Sequence, residues 1–467
     1  MNISFLKKII FYLFSFLVLF QCSKSFSQNW SAVGEGVNAN VKVFYSDALT
    51  NRLYIGGQYV KANGYWDGIT FNSMACGVDW DCTTPLMDNN FTSPVNSIIK
   101  YNGEIYIGGG FTLADAKPVR ALAKWTGSTW DSVGTCPSHA INDMHVSSNN
   151  ELIAGGWFNS IGGITAHGVA VWNGSAWSSP GGGLPLSFGN YAVNAVCEFM
   201  GEIYVTGNFS DNNAQINEIA KWNGTNWVNP GLRLYGGSAH VNDLIVYENE
   251  LYAGGLFLSA DGNLTNQVIK YNGTSWTDVG GGMQGTNGQL FQFAIHNGEL
   301  YTVGAFAGAG GVPAEYIAKW DGAEWCGFGT DFSHVNISIG SHNGELYIGC
   351  GKTIQNDTVN YIAKWDGAGF VDTCGAIMNG IENTTGSNHK IYVYPNPATN
   401  FLTIEYDLDV SNLVLEIRNT LGQTIQSFTL NGSANKVLVD VNEYPPGIYF
   451  LLLQNEEKTL VKKFIKE

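Results

Sequence analysis

The sequence predicts an all-β protein, a seven-bladed β-propeller of four-stranded blades followed by a small seven-stranded β-sandwich. Three observations predict it. A nine-residue motif recurs at nearly constant intervals, an apolar triplet recurs in step ahead of it, and both stop near residue 375, where a different strand pattern begins.

The motif is clearest as Ile317-Ala318-Lys319-Trp320-Asp321-Gly322-Ala323-Glu324-Trp325. It returns as Trp125-Thr126-Gly127 to Trp130, Trp172-Asn173-Gly174 to Trp177, Trp222-Asn223-Gly224 to Trp227, Tyr271-Asn272-Gly273 to Trp276 and Trp365-Asp366-Gly367 to Phe370. The second aromatic also stands alone at Trp30 and, after a degenerate Met74-Ala75-Cys76-Gly77, at Trp80. Successive second aromatics are 50, 50, 47, 50, 49, 49 and 45 residues apart. Asp-Gly or Asn-Gly between apolar runs predicts a hairpin with a type I′ turn, both central residues at φ > 0. Neighbouring strands then carry the two aromatics.

A second hairpin precedes each aromatic pair. Val95 to Ile99 leads through Asn102-Gly103 into Glu104-Ile105-Tyr106-Ile107-Gly108-Gly109. The returning strand recurs at Leu53-Tyr54-Ile55, Leu152-Ile153-Ala154, Ile203-Tyr204-Val205, Leu251-Tyr252-Ala253, Leu300-Tyr301-Thr302 and Leu346-Tyr347-Ile348. An unbroken apolar triplet means a strand covered on both faces. Two hairpins per repeat make a four-stranded sheet, and such sheets repeated at this length predict propeller blades. Seven upstream hairpins stand against eight second aromatics, so the surplus Trp30 strand is expected to complete the last sheet and close the ring. A linear stack is the rival, but it would need polar capping repeats, and neither end of the array shows one.

Glycine contributes 58 of 467 residues, well above the usual ~7%, and its periodic placement indicates tight turns. The formal net charge is −16. So acidic a chain, without a basic stripe, excludes nucleic acid as a partner. At the N-terminus, Lys7-Lys8 precede an apolar run from Ile9 to Phe20 and the small-residue site Ser25-Phe26-Ser27. This predicts a signal peptide over residues 1–27, cut between Ser27 and Gln28. The alternative is a lipoprotein at Cys22, disfavoured by bulky, polar Gln21 in its motif. No transmembrane helix is expected after cleavage. Of the seven cysteines beyond the leader, Cys76 with Cys82 and Cys350 with Cys374 are close enough in sequence to pair, and at least one is expected to stay a buried free thiol. None has paired CxxC spacing, so no metal is expected.

The double glycine and aromatic pair resemble kelch or galactose-oxidase-like propeller repeats. The fuller pattern, Gly-Gly-x-Phe then a small-residue loop and Ile-Ala-Lys-Trp-(Asp/Asn)-Gly, is closer to the kelch-like repeats of cortical polarity-marker proteins. Gly108-Gly109 with Phe111 and Gly155-Gly156 with Phe158 carry it; Thr206, Val303 and Cys350 depart from it at glycine positions. The resemblance spans residues 28–375. It implies a propeller and leaves activity open, since such repeats serve many functions.

Residues 376–390 form a linker, and residues 391–467 carry seven short alternating runs fitting a small Ig-like β-sandwich. Within it, Tyr394-Pro395-Asn396-Pro397, Leu421-Gly422-Gln423, Pro446-Gly447-Ile448-Tyr449 and Lys462-Lys463-Phe464 occur in order. These motifs resemble the type A C-terminal sorting domain of the type IX secretion system of Bacteroidetes. The resemblance implies the type IX machinery as partner and a secreted or outer-membrane cell-surface location.

Catalytic motifs are not apparent, and a catalytic residue is expected to break the repeat. The histidines echo instead: His240 with His334, and His296 with His342. Glu104, Glu151, Glu202, Glu250, Glu299 and Glu345 follow the first turn and are expected to form a solvated acidic rim. Asn96, Asn142, Asn194, Asn242 and Asn336 are expected on the first strands, lining a central channel, either to contact a ligand or to satisfy backbone between blades. Recognition is expected from loops such as Gly64-Tyr65-Trp66-Asp67 and Gly181-Gly182-Gly183-Leu184. The favoured function is a non-catalytic scaffold binding an extracellular glycan or protein, without a cofactor. A secreted glycan lyase or hydrolase is the alternative, and it would need two irregular carboxylates or a His/Tyr pair facing one pocket.

Overall fold

The computed structural model describes residues 30–58, 64–74, 94–185, 192–211, 216–235, 239–260, 263–285, 288–327, 332, 334–354, 357–365, 391–394, 398, 400–406, 413–419, 423–430, 436–445, 447–454 and 459–466. They divide into two compact units, residues 1–374 and 375–467. Both are all-β, with a single 3₁₀ turn at Pro180–Gly182 as the helical element among the described residues.

The first unit contains seven four-stranded antiparallel sheets. Six are built from consecutive strands, beginning with Val41–Asp47, Val95–Tyr101, Ile141–Val146, Ala192–Phe199, His240–Tyr247 and Gln289–His296. The seventh takes Ser338–His342, Glu345–Gly349 and Ile362–Trp365 from the last repeat and is completed by Trp30–Ala32. Trp30 pairs with Trp365 and Ala32 with Ala363. The surplus strand thus sits where its count implied. Each sheet's first strand lies against the first strand of the next sheet, and that of the seventh against Val41–Asp47. The order is cyclic.

The double glycine follows from this close approach. A Cβ on Gly108 would lie 2.6 Å from Ile141 of the next sheet, and one on Gly109 would lie 2.1 Å from the Pro94 carbonyl of its own. Neither glycine has positive φ, so space rather than backbone conformation selects them. Gly207 is the tightest, at 1.7 Å from the Ala192 carbonyl. Gly207→Ala is expected to cost at least the 1–3 kcal/mol (roughly) of ordinary overpacking, seen as a lower urea midpoint. A midpoint equal to the parent's would show that the strands can separate freely there.

The two turns of each repeat differ. Asn102-Gly103, Asn297-Gly298 and Asn343-Gly344 have both residues at positive φ and close two-residue hairpins, as in Tyr101 opposite Glu104. The turn between the aromatics is a four-residue loop rather than the expected type I′ turn, because Trp172 pairs with Trp177. Asn173 Oδ1 accepts the N–H groups of Ser175 and Ala176 at 3.0 and 2.9 Å, and only the following Gly174 is left-handed. Asp321 does the same at 2.9 and 2.8 Å. The carboxylate or amide caps the loop, so Asp or Asn is selected for its oxygen.

The first repeat needs correction. Its aromatic pair is Trp66 and Phe71, directly paired across the Asp67-Gly68 loop, with ring centroids 5.1 Å apart. Asp67 takes two backbone N–H bonds there, which hold its carboxyl at about 2. The Met74–Gly77 stretch is therefore not the motif; Cys76, Cys82 and Trp80 lie outside the described residues. So do Phe370, Cys374, Ser27, Gln28 and residues 1–26. Cys326 is disulfide-bonded. Cys136, Cys197 and Cys350 are free, which excludes the Cys350–Cys374 pairing and leaves Cys197 and Cys350 as buried thiols.

The second unit has two sheets, of three and four strands. Ile391–Tyr394, Phe401–Tyr406 and Lys436–Asp440 form one; Leu413–Asn419, Thr424–Leu430, Gly447–Gln454 and Thr459–Lys466 form the other. Leu402, Ile404 and Val439 from the first share one core with Leu415, Ile417, Leu451 and Phe464 from the second.

Candidate functional site

The first strands of the sheets carry four of the five asparagines singled out in the sequence. Asn96 donates from Nδ2 to the Ile141 carbonyl at 3.1 Å, Asn142 to Val193 at 2.8 Å, Asn194 to Val241 at 3.0 Å and Asn242 to Leu290 at 2.7 Å. Each amide crosses to the next sheet and occupies a carbonyl there. Asn336 does not belong to the set. Ser338 pairs with Gly349 as Ser97 pairs with Gly108, so Ile337 holds the asparagine place. The Val335-Asn336 echo is displaced by one residue, and Asn336 fills the buried slot that Val95 or Val241 fills elsewhere.

The next inner position supplies a second set of cross-links. Ser97 Oγ accepts from the Met144 N–H at 3.1 Å, Asp143 Oδ2 from Val196 at 3.0 Å, Asp243 Oδ2 from Phe293 at 2.7 Å and Gln292 Oε1 from Ile339 at 3.0 Å. Ser338 Oγ donates to the Val41 carbonyl at 2.8 Å, joining the seventh sheet to the first. The echoed histidines also cross between sheets, His296 Nδ1 to Ser341 Oγ and His342 Nδ1 to Ser46 Oγ, both at 2.9 Å. Burial lowers both imidazole pKa values. These histidines are structural, as their repetition implied.

Asp143 and Asp243 are the irregular carboxylates, since the equivalent residues are Val43, Ser97, Ala195, Gln292 and Ser338. Desolvation pushes Asp143 up to about 6 and Asp243 up to about 7, partly offset by their backbone bonds; Asp143 adds repulsion on Asp243. Both charges also act on buried Cys197, whose thiol burial pushes up to about 12. An acid that titrates higher in the folded chain keeps its proton longer when folded. Its stabilising contribution is present at low pH and is lost as pH rises from about 4 through those values. The buried histidines act in the opposite sense, so the difference between variants isolates the aspartates. Asp243→Asn is expected to become progressively more stable relative to the parent between pH 4 and 7, by urea denaturation. A constant difference across that range would mean that Asp243 titrates normally.

The acidic rim is more than a solvated surface. Lys124, Lys221, Lys270, Lys319 and Lys364 pair with Glu104, Glu202, Glu250, Glu299 and Glu345 at 2.9, 2.7, 2.6, 3.2 and 2.5 Å. The lysine of Ile-Ala-Lys-Trp and the glutamate after the first turn are thus one cross-strand element. In the third repeat Val171 replaces the lysine, and Glu151 has no such partner among the described residues. Partly exposed pairs of this kind contribute under about 1 kcal/mol each.

The second tryptophans are anchors. Trp130, Trp177, Trp227, Trp276 and Trp325 donate their indole N–H to carbonyls of Met74, Val133, Pro180, Pro230 and Val279 in the preceding repeat, at 2.8–3.3 Å. In the loops expected to recognise a ligand, the largest apolar side chains face the core. Trp66 is buried, Leu184 is fully buried, and a Cβ on Gly181 would lie 2.9 Å from Trp222. Sequence reading missed Trp157, which is 54% exposed; its place is x in Gly-Gly-x-Phe, where every other repeat has a smaller residue.

In the second unit, Tyr449 donates to the Pro445 carbonyl at 2.8 Å and stacks on Phe464 at 5.5 Å. Tyr394 pairs with Thr403; Lys462 and Lys463 pair with Leu451 and Phe450, and Gly447 with Lys466. The ordered motifs thus fall on strands of both sheets. Pro395, Asn396, Pro397, Gly422 and Pro446 lie outside the described residues.

Residues 392–467 match the family described as the secretion system C-terminal sorting domain. This unit is a type IX sorting domain. It directs the chain to the cell surface or extracellular space through the type IX machinery. No curated protein matches the chain. Among solved structures, PorZ of Porphyromonas gingivalis, described as an essential bacterial surface component of the type IX secretion system, is 14% identical with a TM-score of 0.33; the match covers 92% of this chain and 66% of PorZ. Dimeric latent PorU of the same organism is 10% identical with a TM-score of 0.17, over 94% of this chain and 34% of PorU. At these scores neither likeness informs the fold. No helix among the described residues is long and apolar enough to cross a membrane.

Proposed function

We propose that residues 28–375 form a seven-bladed, kelch-like β-propeller acting as a non-catalytic scaffold for an extracellular glycan or protein. The sorting domain exports it after the signal peptide over residues 1–27 is removed. One observation carries the scaffold reading. The polar side chains on the inner strands are committed to backbone groups of the neighbouring sheet, which makes the ring rigid and leaves binding to its loop-bearing surfaces. The test is a glycan array and a surface-protein pull-down with the full secreted chain, with reducing-end and unsaturated-product assays on every hit. Binding without product supports the scaffold.

The raised pKa values of Asp143 and Asp243 favour a second reading, a glycan-active enzyme, because carboxyls that hold a proton near neutral pH suit general-acid work. Their engagement with the Val196 and Phe293 amides gives them a structural task instead. Product formation abolished by Asp143→Asn or Asp243→Asn would establish the enzyme.

A further inference from the structure

Trp157 is an exposed indole at a position held in the other repeats by Gln58, Gly110, Asn208, Leu256, Ala305 and Gly351. Its backbone N–H bonds to the Ala140 carbonyl at 2.9 Å, fixing it beside the segment that leads into the Ile141–Val146 strand. That segment is held from both sides. Ser138 Oγ accepts the Asn159 N–H at 2.9 Å, the Ser138 N–H reaches the Ser160 carbonyl at 2.9 Å, and Arg120 Nη1 of the preceding repeat reaches the Ser138 carbonyl at 3.5 Å. Arg120, His139, Trp157 and Asn159 are all exposed. Arg120, Trp157 and Asn159 are thereby each bonded to residues 138–140, the segment that carries His139.

In the third to seventh repeats the place of Arg120 is taken by His167, Asn217, Asn266, Glu315 and Asn360, and in the first by Lys61. The cross-strand lysines of five repeats are each committed to a glutamate. Arg120 forms no ion pair among the described residues, and its contact with Ser138 uses one of five N–H donors.

We propose that Arg120, His139, Trp157 and Asn159 form a subsite for a carboxylate-bearing sugar of an acidic extracellular glycan. This rests on the scaffold reading and names its ligand class. The indole covers the apolar face of one pyranose ring, the guanidinium takes the carboxylate in a fork of two N–H bonds, and His139 and Asn159 serve ring hydroxyls. A neutral glycan would leave the Arg120 guanidinium without a counter-charge.

The experiment is calorimetric titration of the full secreted protein with tetragalacturonate, hyaluronan tetrasaccharide and the methyl ester of tetragalacturonate. At least one acid is expected to bind, and more tightly than the ester. Trp157→Ala should weaken the acid about tenfold or more, and Arg120→Gln about tenfold while removing the preference over the ester, as expected for one charged hydrogen-bonded pair. Tyr235→Ala, an exposed aromatic in the fifth repeat, should change neither, and unchanged melting temperatures establish that the variants fold. No binding of either acid, or binding unaffected by both variants, overturns the subsite. Array hits that persist in Trp157→Ala and Arg120→Gln would overturn it while leaving the scaffold standing, whereas an array and pull-down without any hit removes both.

Discussion

Trp30→Ala lowers the stability of the first unit by about 3–5 kcal/mol, the cost of deleting a buried large aromatic. Trp30 is 7% exposed, meets Phe332 edge-on at 5.8 Å and packs with Ile339, Ile348 and Ala363 in the core of the seventh sheet. The three-residue strand that carries it is short, so its backbone pairing cannot compensate for the lost side chain. Thermal unfolding of the secreted protein gives the measurement. Ser31→Ala, at a partly exposed position on the same strand, should be near neutral. A neutral Trp30→Ala would mean that the strand is an appendage and that the seventh sheet stands with three strands.

Deleting residues 391–467 abolishes appearance at the surface and in the medium, and leaves a folded first unit in the periplasm. The sorting domain supplies the route, and the division of the chain at residues 374 and 375 means that removing it cuts no sheet of the first unit. Immunoblots of medium, surface-shaved and periplasmic fractions, with protease resistance of the retained material, read the outcome. Normal surface levels of the truncated protein would show that the first unit carries its own export information.

Much of this architecture is legible in the residues. The apolar triplets, the returning Trp-Asn-Gly and the surplus Trp30 sufficed to place five sheets and the strand that completes the seventh, because burial on both faces leaves a signal in composition and period. The first repeat misled because a poor match at Cys76 had the expected spacing, while the true Trp66-Asp67-Gly68 to Phe71 arrives early. Spacing constrained the reading more than chemistry did, and the capping carboxylate of Asp67 was the better guide. Asn336 misled for a related reason. A Val-Asn dipeptide looks the same one residue out of register, yet the shift exchanges an inward-facing amide for a buried one. The Lys–Glu pairs were invisible because their members lie about 20 residues apart and meet only through pairing of the second and third strands. Trp157 was overlooked because it sits inside a motif whose variable place drew no notice.

The strand at Trp30–Ala32 has a consequence for the order of events during synthesis. It is made, and on the export route emerges, before the rest of the ring, while its partner Ile362–Trp365 comes last. Until that partner emerges, the chain carries two unfinished edges, one at each end of the growing array, and open edges invite pairing with other chains. Sealing them joins residues more than 300 positions apart, an entropic cost that slows the final step more than it weakens the product. The nascent molecule is therefore most vulnerable immediately before completion, and a helper that shields a strand edge would act at that moment.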